Sequence, residues 1–469
     1  MLIDYKYDKK AFESVFEFMN YTEFVLGQKF YYKQKDLSKH YFNAYCSLLN
    51  EILSNASEDA LINYAKLKHI IAANNDIKSS IRQIKKRFLF GNNIDYRFIL
   101  LSQLLYALEI LKADCLMEAT KEMLRIKLGF SKKRFLFAME CASDYNKITD
   151  DKILKSFNEY INFKTAQHKY KNTKIKHIGI CANMSCGKST FLNALLGGEY
   201  LPARNEATTA CVTSVYNYAY AKNMLGIAAD QNEIYAICDD INSNIIDAWN
   251  ANSRHIILQA DLDNISNNDV IVAINDTPGV NNSANNQHKQ STMEFFNNNK
   301  MDVIIYIANA EHLATEDDKK LLVELREKIL LATKSEVLFV INKFDSIDTT
   351  KENKDEIIAR YAKFLENLGF EQAKIYPLSS KAARLFKMVL NGKAELFSEN
   401  EEDEFMPFLN KFSKRMNLAI KSTNHYRKKQ EGIVMINGYK VELLQVCQAL
   451  KNTGLLDLES DIENLLSSK

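Results

Sequence analysis

The segment 175–196 reads IKHIGICANMSCGKSTFLNALL: an apolar strand-like run, a tight loop, then a helical run. A lysine followed by two hydroxyl residues at the start of a helix is the chemistry of a phosphate-binding loop. Successive backbone N–H groups and the helix N-terminus make a concave positive site for β- and γ-phosphates. Lys188 adds a point charge to those oxygens, and the Ser189 hydroxyl suits Mg²⁺. Asn183, Met184, Ser185, Cys186, Gly187, Lys188, Ser189 and Thr190 are the expected contacts. The pattern G-x-x-x-x-G-K-[ST] departs at its first position, where Ala182 replaces glycine. Alanine fits there if the backbone is extended, and is strained by about 1 kcal/mol if φ is positive.

Three further elements follow in a fixed order. Asp276-Thr277-Pro278-Gly279 ends the apolar run VIVAIN, where the aspartate can hold Mg²⁺ through water and the Gly279 N–H can reach a γ-phosphate. Asn342-Lys343-Phe344-Asp345 ends a second apolar run, EVLFVI. The Asp345 carboxylate can accept from the N1–H and 2-amino group of guanine, a donor pair that adenine lacks. Ser379-Ser380-Lys381 follows the last strand candidate, where a base-contacting loop belongs. Together the four elements point to GTP/GDP with Mg²⁺, and to hydrolysis in which Lys188 neutralises part of the developing charge.

These loops need a wound sheet to carry them. From residue 174 short β-rich runs alternate with helical stretches, with strands expected at 175–181, 211–220, 270–274, 303–308, 337–341 and 375–377. Extra strand character, as at 233–238, lies in the insertion 221–268. An exposed acidic loop is expected at 398–404, and a closing helix at 453–465. Before residue 173 the pattern is different. All four prolines lie after residue 200, and only Gly27, Gly91 and Gly129 interrupt the first 172 residues. Phe42, Tyr45, Cys46, Leu49, Ile52 and Leu53 form one helical stripe; Leu101, Leu104, Leu105, Leu108, Leu111 and Cys115 form another. The expected fold is α/β: an all-α bundle or stalk (1–172), a P-loop GTPase domain with a mainly parallel sheet (173–384), and a helical C-terminal segment (385–469) whose end, 453–469, closes the GTPase domain.

The chain of 469 residues is 46% hydrophobic and 26% charged, an ordinary globular composition. No apolar run reaches the roughly 18 residues of a membrane span; the run 98–111 is broken by Ser102, Gln103 and Glu109. The N-terminus lacks the pattern of a secretory signal. Eight cysteines without a C-x-x-C pair indicate neither a disulfide framework nor a zinc site and fit a reducing cytoplasm. The net charge of +2 conceals an asymmetry: residues 1–172 carry 28 Lys+Arg against 20 Asp+Glu, leaving 33 against 39 for the rest. The basic excess suits a membrane surface or a nucleic acid, or is a solvated helical face.

The stretch MSCGKSTFLNALLGGEYLPARNEATTACVTSV, with NDTPGVNNS and ANAEHLATEDDKKLL, resembles bacterial dynamin-like proteins of the dynamin superfamily. The resemblance runs over about 174–384. Lys188 and Asp276 are 88 residues apart, long for a minimal Ras-like domain and usual for that family. It implies a GTPase that dimerises through its GTPase domains, with itself or a paired family member, and acts at anionic membranes, peripherally at the inner face of the cell membrane. It also implies that Thr208 or Thr209 is the switch I threonine that reaches Mg²⁺ and positions water, Thr209 being favoured. By the same resemblance Ser185 helps hold a charge-compensating K⁺ or Na⁺, and Met184 replaces the glutamine of eukaryotic dynamins. The other readings are a soluble Era-like regulatory GTPase whose helical domain docks a protein or RNA, and a nucleotide-binding scaffold with little turnover. A nucleic-acid partner is expected only under the Era-like reading.

Other residues are weaker candidates. Lys-Lys-Arg-Phe-Leu-Phe occurs at 85–90 and 132–137; it suits a membrane interface, and the favoured reading packs its aromatics inside with the cations solvated. Cys186 beside a helix N-terminus is a candidate redox switch. Arg204 is the one nearby candidate for an arginine finger, and His288 lies in switch II. His177 and His255 read as structural, and Asp239-Asp240 as a turn.

Overall fold

The computed structural model describes residues 9–27, 35–54, 56, 59–72, 77–84, 96–112, 114–144, 151–202, 211–218, 224–230, 233–250, 253, 255–262, 265, 270–276, 295–296, 299–330, 335–348, 352–421, 426 and 431–467. Two compact units emerge, Asp8–Asn172 and Thr173–Lys469.

The first unit is all helical. It comprises α1 (Lys9–Gly27), α2 (Lys35–Leu53), α3 (Ala60–Ala72), α4 (Ile77–Ile84), α5 (Tyr96–Ile110), α6 (Asp114–Lys127), α7 (Lys132–Ser143) and α8 (Asp151–Asn172). On α2 five members of the expected stripe, Tyr45, Cys46, Leu49, Ile52 and Leu53, are buried, and the sixth, Phe42, is half-buried. The stripe expected on α5 is not. Of its 15 residues only Leu105 and Glu109 escape burial, and the helix stops at Ile110, so Cys115 belongs to α6. A helix enclosed by its neighbours must be apolar all round, and α5 contacts α1, α2, α4, α6 and α7. Its polar groups are used as ties. The Gln103 carbonyl accepts from Tyr21 of α1 at 2.7 Å, and Gln103 Oε1 accepts from Tyr41 of α2 at 2.7 Å. Tyr160 of α8 donates to the Ser102 carbonyl at 3.2 Å, and Tyr106 donates to Glu17 of α1.

The basic hexapeptide at 132–137 opens α7 behind a Ser131 cap. Phe135 is buried, but Leu136 is 65% and Phe137 43% exposed, which corrects the expectation that the aromatics pack inside. Six consecutive helical residues sweep more than a full turn, so one buried face cannot take all three apolar side chains. The copy at 85–90 lies outside the described residues.

The second unit is built on nine strands among the described residues. They are β1 (Lys174–Ala182), β2 (Val212–Asn217), β3 (Leu225–Asp230), β4 (Glu233–Cys238), β5 (His255–Ala260), β6 (Val270–Asp276), β7 (Val303–Asn309), β8 (Glu336–Asn342) and β9 (Lys374–Pro377). Their order is β4-β3-β5-β2-β6-β1-β7-β8-β9. Pairing is parallel from β6 through β1, β7 and β8 to β9, and between β2 and β5; β2–β6, β3–β5 and β3–β4 are antiparallel. The expected mainly parallel α/β sheet is therefore present, extended by an antiparallel margin. In such sheets ligands bind beyond the carboxyl ends of the parallel strands. Register brings those ends level: Ile180 pairs with Asp276, Asn309 with Asn342 and Ile341 with Pro377.

Helices cover this sheet: α9 (Lys188–Leu196), α10 (Ser243–Asn250), α11 (Glu316–Leu325), α12 (Lys354–Asn367), α13 (Ser380–Leu390), α14 (Glu399–Lys414), α15 (Leu443–Asn452) and α16 (Leu455–Ser467). A hairpin, β10 (Ile433–Ile436) and β11 (Tyr439–Glu442), precedes α15. Leu455, Leu458 and Ile462 of α16 join the same apolar core as Ile178, Phe191 and Val340. The segment 398–404 is exposed at Ser398, Glu399, Asn400 and Asp403, as expected, but it is the start of a helix and not a loop. Ser398 caps α14 in a reciprocal capping box with Glu401, and Glu401 is buried against Arg384. The acid cluster marks a helix start, where carboxylates meet the dipole's positive end.

Candidate functional site

The loop after β1 resolves the departure at its first position. Ala182 is 2% exposed and ends the strand without a positive φ, so alanine is unstrained there. The left-handed positions are Ser185 (φ 61°) and Gly187 (φ 83°). Gly187 is needed twice over, because a Cβ there would lie 2.6 Å from Asn342 Nδ2. That nitrogen donates to the Cys186 carbonyl at 2.8 Å. Helix α9 begins at Lys188 with no side-chain cap. Its N-cap residue is Gly187, which offers no side-chain acceptor, and a helix N-terminus of this kind favours an anion. Farther along α9, Asn193 Oδ1 accepts from the Tyr200 and Leu201 N–H groups at 3.1 and 2.8 Å, which ties down the chain that follows α9.

Lys188 is 12% exposed and sits 2.8 Å from Asp276 Oδ1, itself on a side chain 3% exposed. The contact is an ion pair, and Oδ1 has no hydrogen-bond partner among the described residues. The buried Asp276 carboxylate and the Ser189 hydroxyl in the first turn of α9 both offer oxygen donors. Such donors fit Mg²⁺, which takes one or two protein ligands and completes its shell with phosphate and water. Thr208, Thr209, Arg204, Gly279 and His288 lie outside the described residues.

Asn342, the last residue of β8, joins two loops. Besides its bond to Cys186, its Oδ1 accepts from the Ser380 N–H at 3.1 Å. Lys343 then turns left-handed (φ 60°), and Asp345 sits half-buried on the following short turn. Ser379 and Ser380 are 0% and 1% exposed, and neither hydroxyl has a hydrogen-bond partner among the described residues. Lys381 is paired with Glu404 at 2.6 Å. The structure therefore brings Asn183–Thr190, Asp276, Asn342–Asp345 and Ser379–Lys381 to one edge of the sheet.

One residue went unassigned in the sequence. Asp318 of α11 is 2% exposed and accepts from Asn183 Nδ2 at 2.6 Å, Tyr306 Oη at 2.7 Å and the Thr315 N–H at 3.1 Å. It caps α11 and holds the first loop residue at the same time. Its signal was the Thr-x-x-Asp spacing of a capping box at 315–318.

Burial argues against the redox-switch reading of Cys186. The thiol is 4% exposed, and burial, with Asp318 adding to it, pushes its pKa up to about 12. The phosphate-loop thiolate is suppressed by desolvation, which outweighs any pull from α9. Alkylation by iodoacetamide at pH 8 should be at least ~100-fold slower at Cys186 than at a free thiol; labelling at a free thiol's rate, read by peptide mass spectrometry, would refute this. Burial likewise lowers the pKa of His177, and that of His255 to about 4, so both stay neutral structural residues.

Residues 178–344, which hold the second half of β1, the phosphate loop, Asp276 and Asn342, match the model of the dynamin family. This segment is a dynamin-family domain. An uncharacterized protein in the xynA 3′ region of Caldicellulosiruptor sp. (strain Rt8B.4) is 25% identical over 289 residues, 59% of this chain and 65% of that protein. Among solved structures, an oligomerised bacterial dynamin pair, described as sensing and tethering membranes at long range, aligns over 98% of this chain and 64% of its own, at 17% identity and TM-score 0.37. Aquifex aeolicus Era bound to GDP·AlF4⁻ aligns over 44% of this chain and 52% of its own, at 16% identity and TM-score 0.28. The chain thus spans less than two thirds of the length of each. Beyond the dynamin-family domain, no helix among the described residues is long and apolar enough to cross a membrane.

Proposed function

We propose that this chain binds and hydrolyses GTP as a dynamin-like protein, dimerising through its GTPase domains and acting peripherally at an anionic membrane surface of the cytoplasm. The observation that carries the nucleotide reading is Asn342, whose two hydrogen bonds fasten the phosphate loop to the Ser379–Lys381 loop beside Asp345. Phosphate and base sites are thereby one rigid edge. In this reading residues 1–172 are the stalk, 173–384 the GTPase domain and 453–469 the segment that closes it.

Backbone N–H groups from Asn183 to Thr190 and the Lys188 ammonium hold the β- and γ-phosphates. Mg²⁺, held by Ser189, Asp276 and Thr209 or Thr208, supplies further charge neutralisation when bound. The threonine orients the attacking water, and the Gly279 N–H meets the γ-phosphate. Ser185 would help hold a K⁺ or Na⁺, which would supply further charge compensation. Met184, 37% exposed, offers no hydrogen-bond donor to water, so basal turnover is slow and depends on dimerisation.

Turnover measured over a protein dilution series, with and without anionic liposomes, and followed by sedimentation tests this reading. Specific activity should rise with concentration and with lipid. Activity indifferent to both would favour the Era-like alternative, and nucleotide binding without turnover would leave a scaffold. Base recognition has its own test. Asp345→Ala should lower the preference for GTP over ATP on the order of 100-fold, because two charge-assisted hydrogen bonds are lost. An unchanged ratio in competition assays would remove Asp345 from that role.

A further inference from the structure

Helix α14 lies outside the family-matched segment 178–344 and touches both loops assigned to the base. Lys411 Nζ donates to the Asp345 carbonyl at 2.5 Å. Glu404 holds Lys381 Nζ at 2.6 Å through Oε1 and at 2.5 Å through Oε2. The two side chains are seven residues apart, two turns of one helix, and so project from the same face. The two loops they grip end different strands, β8 and β9. We propose that α14 is a brace that sets the spacing of the guanine-binding loops, with Lys411 and Glu404 as positioning residues for base selectivity. This rests on the GTP reading above.

The brace is itself anchored. The Glu401–Arg384 ion pair is buried at the start of α14, and Phe405 and Phe412 meet Phe386 of α13 with ring centroids 5.8 and 6.2 Å apart. The helix therefore cannot slide along the loops without breaking its own packing. Lys411 acts on the backbone of the residue whose carboxylate would read the base, so a small shift at its Nζ moves both acceptor oxygens of Asp345 together. The Lys381–Glu404 pair is 44% and 41% exposed, and pairs so exposed contribute little to global stability. Its effect belongs in selectivity rather than in the melting temperature.

The test compares GDP, ADP and pyrophosphate binding to the full chain by titration calorimetry, with thermal melts alongside. Lys411→Met should weaken GDP about tenfold while leaving pyrophosphate affinity and the melting temperature unchanged. Lys411→Arg should restore GDP binding, since a cation again reaches the carbonyl. Glu404→Gln should weaken GDP about twofold to threefold. Should Lys411→Met fold poorly, the arginine and Glu404→Gln variants still decide the matter. Equal GDP affinity in wild type and in the Lys411→Met and Glu404→Gln variants overturns the brace alone. Parallel loss of GDP and pyrophosphate reduces Lys411 to general support and also overturns it. A wild type that binds pyrophosphate but no guanine nucleotide overturns the GTP reading, and the brace with it.

Discussion

Replacing Lys188 with alanine should lower GTP turnover by about 10²- to 10³-fold, the usual loss when one preorganised charge leaves a transition-state site. The structure adds a second consequence. Lys188 is the ion-pair partner of Asp276, whose side chain is 3% exposed. Truncating one partner of a buried pair leaves the other charge uncompensated, which costs roughly 3–5 kcal/mol when the pair is fully enclosed. The single variant should therefore melt earlier as well as turn over slowly. Adding Asp276→Asn removes the orphaned charge, so the double variant should regain much of the melting temperature and none of the turnover. Single-turnover assays and calorimetric scans of the wild type and the two variants separate the two effects. Near-wild-type hydrolysis by Lys188→Ala would refute its role. A double variant no more stable than the single would refute the buried-pair account.

Gly454→Ala should be the most damaging glycine substitution in the C-terminal part of the chain. Gly454 has φ +86°, and a Cβ there would lie 2.2 Å from the Pro377 carbonyl oxygen. No side-chain rotation relieves that contact, because the obstacle is backbone. Pro377 ends β9 just before Ser379, whose N–H bonds to the Thr453 carbonyl at 3.2 Å. Alanine must push the Thr453–Gly454 turn away from the base-contacting loop. We expect a loss of about 2–4 kcal/mol together with weakened nucleotide binding. Gly392→Ala is the control. Its φ is +69°, but nothing lies within 4 Å of the added carbon, so only the left-handed penalty of about 1 kcal/mol applies. Denaturant melts giving equal losses for the two variants would show that the close approach is not felt.

The chemistry-bearing loops were readable because each is a short contiguous string at the end of an apolar strand. The strand runs 270–274, 303–308 and 337–341 fall inside β6, β7 and β8 for the same reason. β3 and β5 were not resolved within the insertion. β3, LGIAAD, carries alanine and glycine, which have weak β preference, and it holds its place by pairing with β4 and β5. Residues 398–404 read as a loop in the sequence because their acidity outweighs the capping spacing Ser398 to Glu401. Pro407 inside α14 also hides that helix from any reading of proline as a breaker. The contacts Asn183–Asp318 and Asp345–Lys411 join residues 135 and 66 positions apart. No local pattern encodes such pairs; they exist only once the sheet has set the loops side by side.

The phenol ties around α5 set how the helical unit can respond to force. Tyr21, Tyr41, Tyr106 and Tyr160 fasten three neighbouring helices to one central rod through buried oxygens. Shearing any of these helices by a single turn, 5.4 Å, would strand those groups at about 1–3 kcal/mol each. A greasy bundle slips in small steps, whereas this one resists sliding until several ties fail at once. The unit should behave mechanically as a stiff block that transmits rotation whole, with compliance confined to its ends.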